Sequence, residues 1–145
     1  MRVLMAVDNS AFAESVLRAV VIAFRRENTE ILVLNVLQPV EPVPPPEMAQ
    51  GYAPELEEEK KPARALVERI AGELRTAGFT AQPEVQIGDV TEVILDRATE
   101  WHADVIALGS HGHRGILDFM LSSVAESVAR RAGCSVTIVR PPCSQ

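Results

Sequence analysis

Cysteine, aromatic side chains and long apolar runs are all scarce in this 145-residue chain. The two cysteines, Cys134 and Cys143, are too few for a disulfide scaffold. The opening MRVLMAVDNS does not have the apolar run of a secretory leader, so they read as free thiols of a reducing, cytoplasmic compartment. No stretch approaches the roughly 20 apolar residues that a membrane span requires. Positive charge is in short supply too: 14 Lys and Arg against 20 Asp and Glu leave a formal net charge of −6. A field of that sign repels polyanions, which argues against nucleic acid or an anionic membrane as partner. A small anion can still be held by local donors. Two common phosphate motifs are missing. There is no G-x-G-x-x-G, and the only lysines, Lys60 and Lys61, follow no glycine as a P-loop lysine must.

What is present is alternation. RVLMAV (Arg2–Val7) is a continuous apolar run, the pattern of a strand covered on both faces. Asp8, Asn9 and Ser10 offer capping side chains, and Ala13, Val16, Leu17, Val20, Val21 and Phe24 recur at helical spacing, predicting a helix over Ala11–Arg26. EILVLNV (Glu30–Val36) is a second buried strand. The following stretch, about 38–54, holds six of the chain's ten prolines and reads as a loop insert, either a lid or a disordered segment. ELEEEKK then reads as a solvated face of a helix that starts near Lys61 or kinks at Pro62. Its stripe is Ala65, Leu66, Ile70 and Leu74, and it stops at Gly78. Thr80–Gly88 is a more polar strand whose Pro83 suits a sheet edge. Asp89 caps a helix with Val93, Ile94, Ala98 and Trp101 as its stripe, and His102 ends it. Asp104–Gly109 is a strand, Ser122–Ala132 a helix and Ser135–Arg140 the last strand.

The order β-α-β-α-β-α-β-α-β implies a single α/β domain over residues 1–145, with a Rossmann-like parallel five-stranded sheet and helices on both faces. Ligands of such sheets bind beyond the carboxyl ends of the strands, where strand order reverses. The candidate site residues are those at and just past the strand ends: Asp8 to Ser10, Val36 to Gln38, Gly88 and Asp89, and Gly109 to Gly115, with Ala6 and Val7 at the end of the first strand added. That loop, GSHGHRGILDFMLSS, sets Gly109, Gly112 and Gly115 at a spacing of three before a helix opened by Ser122 and Ser123. Glycines admit positive φ and close approach, and a helix N-terminus presents N–H donors to phosphate. The same residues can also form a plain turn. Asp8 fits either a helix cap or a ligand contact, and the two are compatible. His111 and His113 are a weak metal pattern and fit a solvated loop better. With Arg114 they can also contact phosphates.

From MAVDNS through LNV and IGDV to ALGSHGHRGILDFMLSSVAESVARRAGCSVTIVR, the chain resembles the universal stress proteins. The resemblance implies the sheet order 3-2-1-4-5. It also implies the nucleotide motif Gly-x2-Gly-x9-Gly-Ser/Thr, laid here on Gly109, Gly112, Ser122 and Ser123, with Gly115 inside the spacer. It implies ATP, with magnesium as a candidate companion. Asp8 would lie near the ribose or a metal-bound water and Val36 would meet the adenine through its backbone. Leu108 and Gly109 would flank the nucleotide, and Gly112, Ser122, Ser123 and Val124 would hold phosphates, with His113 and Arg114 close by. Ser122 departs from the motif's third glycine. If the position needs positive φ, serine is strained there by roughly 1 kcal/mol or more. The resemblance further implies a homodimer joined through the last strand, Ser135–Arg140. The other explanation for that apolar edge is that the tail PPCSQ blunts it. No base–nucleophile pair or metal cluster stands out, and no catalytic residue is assigned. The implied function is an ATP-binding stress-response sensor or regulator with little or no turnover. The alternative is a family member that binds no nucleotide and serves as a protein-interaction module.

Overall fold

The computed structural model describes residues 1–8, 12–38, 49–110 and 122–140, with the backbone alone for 49–57 and 59. Strands and helices alternate throughout: β1 (Arg2–Ala6), α1 (Ala13–Ala23), β2 (Glu30–Leu37), α2 (Ala49–Thr76), β3 (Thr80–Ile87), α3 (Val90–Trp101), β4 (Val105–Gly109), α4 (Ser123–Arg131) and β5 (Ser135–Val139). The strands form one parallel sheet in the order β3-β2-β1-β4-β5, as the sequence and its family resemblance imply. Alternation along each strand divides the core in two. Val3, Met5, Ile31, Val33 and Ala107 face α1 and α2, while Leu4, Leu32, Leu34, Ile106 and Leu108 face α3 and α4. Val3, Leu4 and Met5 of β1 are wholly buried, so the central strand has no polar face.

The helices depart from the sequence expectation in three places. First, α1 begins at Ala13, not Ala11, and its N-cap is Phe12 with no side-chain cap, so Asp8 does not cap it. Second, α2 does not start near Lys61 but runs unbroken from Ala49 through Pro54 and Pro62. The helical end of the proline-rich stretch is therefore not loop; residues 39–48 of it lie outside the described residues. Pro62 removes one N–H, and the carbonyl it releases is that of Glu58, at an exposed position where water can serve it. Third, the buried stripe of α2 is Ala63, Val67, Ile70, Ala71 and Leu74, while Ala65 is exposed. Local proline chemistry argues for a break, but this stripe, packed on β2 and β3, outweighs it. Of the remaining boundaries, α1 ends at Ala23 rather than Arg26, β2 gains Leu37, and β1, β3, β4, α4 and β5 each end or begin one residue inside the expected range.

Gly78 follows α2 at φ +105°, and Gly88 stands between β3 and α3 at φ +153°. A Cβ on Gly88 would lie 2.9 Å from Val93 Cγ2, so that turn requires glycine. Directly after it Asp89 caps α3, accepting the Glu92 N–H at 3.0 Å. The other end of the sheet is tied by Arg2 and Asp104. Arg2 N–H donates to Asp104 Oδ2 at 2.8 Å, Asp104 N–H donates to the Arg2 carbonyl at 2.7 Å, and the Arg2 guanidinium lies 5.5 Å over the Trp101 ring.

Edge strand β3 is clamped to α3 by one two-pronged pair. Arg97 Nε and Nη2 donate to Glu84 Oε2 and Oε1 at 2.6 and 2.9 Å, and Gln86 Nε2 adds a bond at 3.0 Å. Burial pushes the Glu84 carboxyl up, but these bonds and the Arg97 charge outweigh it and hold the group below its ordinary value. A depressed carboxylate stabilises the fold above its unfolded-state pKa and loses that contribution as pH falls through its folded-state pKa. Glu84→Gln is expected to lower stability by about 1 kcal/mol at pH 7 and to flatten the acid limb of the stability curve below about pH 4.5. Urea denaturation between pH 3 and 7 reads both effects, and parallel acid limbs in the two proteins would exclude this role for the pair.

Candidate functional site

The strand order reverses between β1 and β4. After β1 the chain crosses to β2 on one side, and β4 lies on the other. A cavity of about 580 Å³ opens beyond the carboxyl ends of these two strands. That size suits a small organic ligand.

One wall is apolar. Leu34 and Val36 from β2 meet Val90 and Ile94 from the first turns of α3, with Leu108 of β4 beneath and Phe12, Ala13 and Val16 of α1 on the far side. The floor is backbone: Ala6, Val7 and Asp8 leaving β1, and Gly109 leaving β4. The remaining wall is the start of α4, made of Ser122, Ser123 and Val124. Among the described lining residues Asp8 alone is ionisable.

The start of α4 is built around Ser122. Its φ is −65° and its ψ 156°, an extended N-cap geometry open to any residue, so the strain that positive φ would bring does not arise. Its N–H donates to the carbonyl of buried Ser110 at 2.8 Å, and its Oγ accepts the Ala125 N–H at 3.1 Å. Ser110 N–H in turn donates to the Val139 carbonyl at 2.8 Å, anchoring the loop ends to β5. The Ser122 hydroxyl keeps its own hydrogen to donate. The N–H groups of Ser123 and Val124 occupy the first turn of α4, where intrahelical acceptors are lacking, so they and the positive end of the helix dipole face the cavity.

Of the residues singled out in the sequence, Ala6, Val7, Asp8, Val36, Leu37, Gln38, Leu108, Gly109, Ser122, Ser123 and Val124 line this one cavity, whereas Gly88 and Asp89 do not. Gly112, His113, Arg114 and Gly115 lie outside the described residues, as does His111. The sequence reading missed Phe12, Ala13, Val16, Leu34, Val90 and Ile94 as lining. For Val90 and Ile94 the signal was present, since both follow the Asp89 cap on the inward stripe of α3, but a helical stripe alone does not separate core from cavity wall. Among the described residues no three His, Cys, Asp or Glu come together as a metal site. Cys134 is a free, half-buried thiol at the opposite end of β5, and burial, aided by the Asp104 charge, pushes its pKa up.

The profile of the Universal stress protein family matches residues 1–140. The chain belongs to the universal stress protein family. It is 29% identical to the universal stress protein Sll1388 of Synechocystis over 96% of its own length and 97% of that protein. Among solved structures it is similar to the hypothetical protein MJ0577, at TM-score 0.85 and 26% identity over 99% and 97% of the two chains. The universal stress protein UspA of Lactobacillus plantarum also shares the fold, at TM-score 0.85 and 21% identity, covering 97% of each chain. Two further members were solved with nucleotides: one from Arabidopsis thaliana with AMP bound (TM-score 0.68, 17% identity) and one from Archaeoglobus fulgidus in complex with dAMP (TM-score 0.65, 23% identity). They cover 98% and 97% of this chain.

The cap geometry sets the effect of substitution at the motif's third glycine position. Ser122→Ala is expected to cost about 1 kcal/mol by leaving the Ala125 N–H without its acceptor, whereas Ser122→Gly costs only a few tenths. Chemical denaturation of the two variants separates them, and equal losses would refute the capping role.

Proposed function

We propose that this universal stress protein binds an adenine nucleotide in the β1/β4 cavity and acts as a stress-response sensor or regulator through a homodimer. The observation that carries this reading is the polarity of the cavity, apolar at one end and rich in N–H donors at the other. A purine fits between Val36, Val90 and Ile94, with the Val36 backbone at its polar edge. The phosphates then run toward Ser123 and Val124, whose N–H groups and helix dipole favour negative charge despite the overall net charge of −6. The AMP and dAMP complexes of the two relatives support a mononucleotide frame of this kind. Asp8 is the one described anionic lining group and suits a ribose hydroxyl or the water shell of magnesium. ATP is the nucleotide we favour, because Gly109, Gly112 and Ser123 match the family's nucleotide motif, with Ser122 in place of its third glycine. The same lining contains no described lysine or histidine to drive phosphoryl transfer, so we read the site as a holder of nucleotide with little or no turnover.

The dimer would form on β5. Val139 turns its carbonyl to Ser110, so alternation leaves the N–H groups of Val136 and Ile138 on the open edge of the sheet. Half-buried Val136, Ile138 and Val139 flank that edge. Pairing with a second copy would satisfy both the edge and this apolar surface.

Thermal-shift titration of protein stripped of co-purified ligand tests the site. ATP with magnesium is expected to raise Tm saturably, by roughly 5–10 °C at a hundred times Kd, while GTP has little effect. Asp8→Ala is expected to weaken ATP about tenfold, the equivalent of one charge-assisted hydrogen bond. No shift at millimolar ATP would replace this reading with a nucleotide-free interaction module. For the dimer, sedimentation equilibrium is expected to give twice the 15.8 kDa chain mass, and Val136→Pro to return it to one chain.

A further inference from the structure

β1 and β2 separate one step earlier than a regular parallel ladder would, and a side chain separates them. The Leu34 carbonyl accepts the Val7 N–H at 2.9 Å, while the Leu37 carbonyl accepts the Gly88 N–H on the other side of β2. By alternation, residues 34 and 36 therefore direct their backbone groups toward β1, and residues 35 and 37 toward β3. The next rung of a regular ladder would run from Val36 N–H to the Val7 carbonyl. That rung is not made. The Val7 carbonyl instead accepts Asn35 Nδ2 at 2.7 Å.

Asn35 is a polar residue in an apolar place. It is only 5% exposed, on the β2 face shared with Ile31 and Val33, and its Oδ1 is buried with no hydrogen-bond partner. The partner carbonyl fixes which way the amide points, since only the NH₂ group can donate. An amide with one end satisfied and one end orphaned adds little net stability, because the unmet acceptor offsets the bond that is made. What it does set is geometry. By occupying the Val7 carbonyl it keeps the Val36 N–H out of the ladder, and Val36 lines the cavity.

We infer that Asn35 is a positioning residue: it diverts the Val7 carbonyl from the ladder and so frees the Val36 backbone N–H as a donor to the ligand's base. An adenine ring nitrogen accepts from such an N–H, whereas the corresponding guanine nitrogen carries a hydrogen and does not. The consequence for binding rests on the nucleotide reading above, but the backbone geometry does not.

The test is amide hydrogen exchange of the full chain by NMR, without ligand. In the wild type, Val36 is expected to exchange at least about tenfold faster than Leu34, its neighbour on the same edge of β2. In Asn35→Leu the Val7 carbonyl is released, the missing rung forms, and Val36 slows by about tenfold or more. Asn35→Val serves the same purpose if the leucine variant fails to fold. Asn35→His, which retains a donor of similar reach, keeps Val36 fast. A merely structural role for Asn35 would alter global stability without selectively protecting Val36. Slow exchange at Val36 in the wild type, or no slowing in a folded leucine or valine variant, overturns the inference. Titration with AMP and GMP gives the second readout: Asn35→Leu is expected to lose about tenfold in AMP affinity and to narrow the AMP-to-GMP ratio. If the wild type binds neither, the nucleotide reading falls, and Val36 exchange still decides the role of Asn35.

Discussion

A central strand with no polar face forces the rest of this architecture. Val3, Leu4 and Met5 are wholly buried, so β1 must have helices above and below it and a strand on each side. Right-handed crossovers can satisfy that only by placing α1 and α2 on one face and α3 and α4 on the other. The chain must then reverse its direction of travel across the sheet beside β1. The cavity is the geometric residue of that reversal: two neighbouring strands whose exits lead to opposite faces cannot close over their own ends. The functional site is thus produced by the same burial that stabilises the fold.

The polar groups at this crevice are held by a few specific bonds. Ser122 gives its N–H to Ser110 and caps α4 with its hydroxyl, which returns the loop between β4 and α4 to the sheet at a fixed point. Asp89 does the same for α3, and Gly88 is the one residue type that fits the turn before it. Asn35 controls where β1 stops pairing. Each interaction is worth only about 1 kcal/mol, small beside the burial of the two core clusters. Their effect is directional: they decide which N–H groups are used up inside the protein and which remain to face a ligand. The proposed nucleotide would depend on that local arrangement, because the long-range field of a chain of net charge −6 opposes it.

The fold was legible in the sequence because its signals are local and repeated. Continuous apolar runs at Arg2–Val7, Glu30–Val36 and Asp104–Gly109 mark buried strands, helical stripes lie between them, and Pro83 marks the edge. The residues just past the strands named most of the cavity before any geometry was known. What could not be read locally was α2. Two prolines and a polar stretch argue against a long helix, and the contacts of Val67, Ile70 and Leu74 with strands distant in sequence override that local preference. Asp8 shows the opposite limit: its composition fits a cap, but α1 starts too late for it to serve.

The sequence by itself determined the alternating elements, the parallel sheet, the family and the list of residues at the strand ends, because periodicity and spacing are properties of the chain. Only the tertiary structure decided how those residues are used. Whether Ser122 is strained depends on its φ, which the packing of α4 against the sheet sets. Whether Val36 has a free N–H depends on a bond between a side chain in β2 and a carbonyl at the end of β1. Val90 and Ile94 line the cavity as well as packing in the α3/α4 core, because they sit beside the crevice at the reversal. Each of these outcomes turns on a pair of groups far apart in the chain, and no local pattern records which partner a buried donor or acceptor will find.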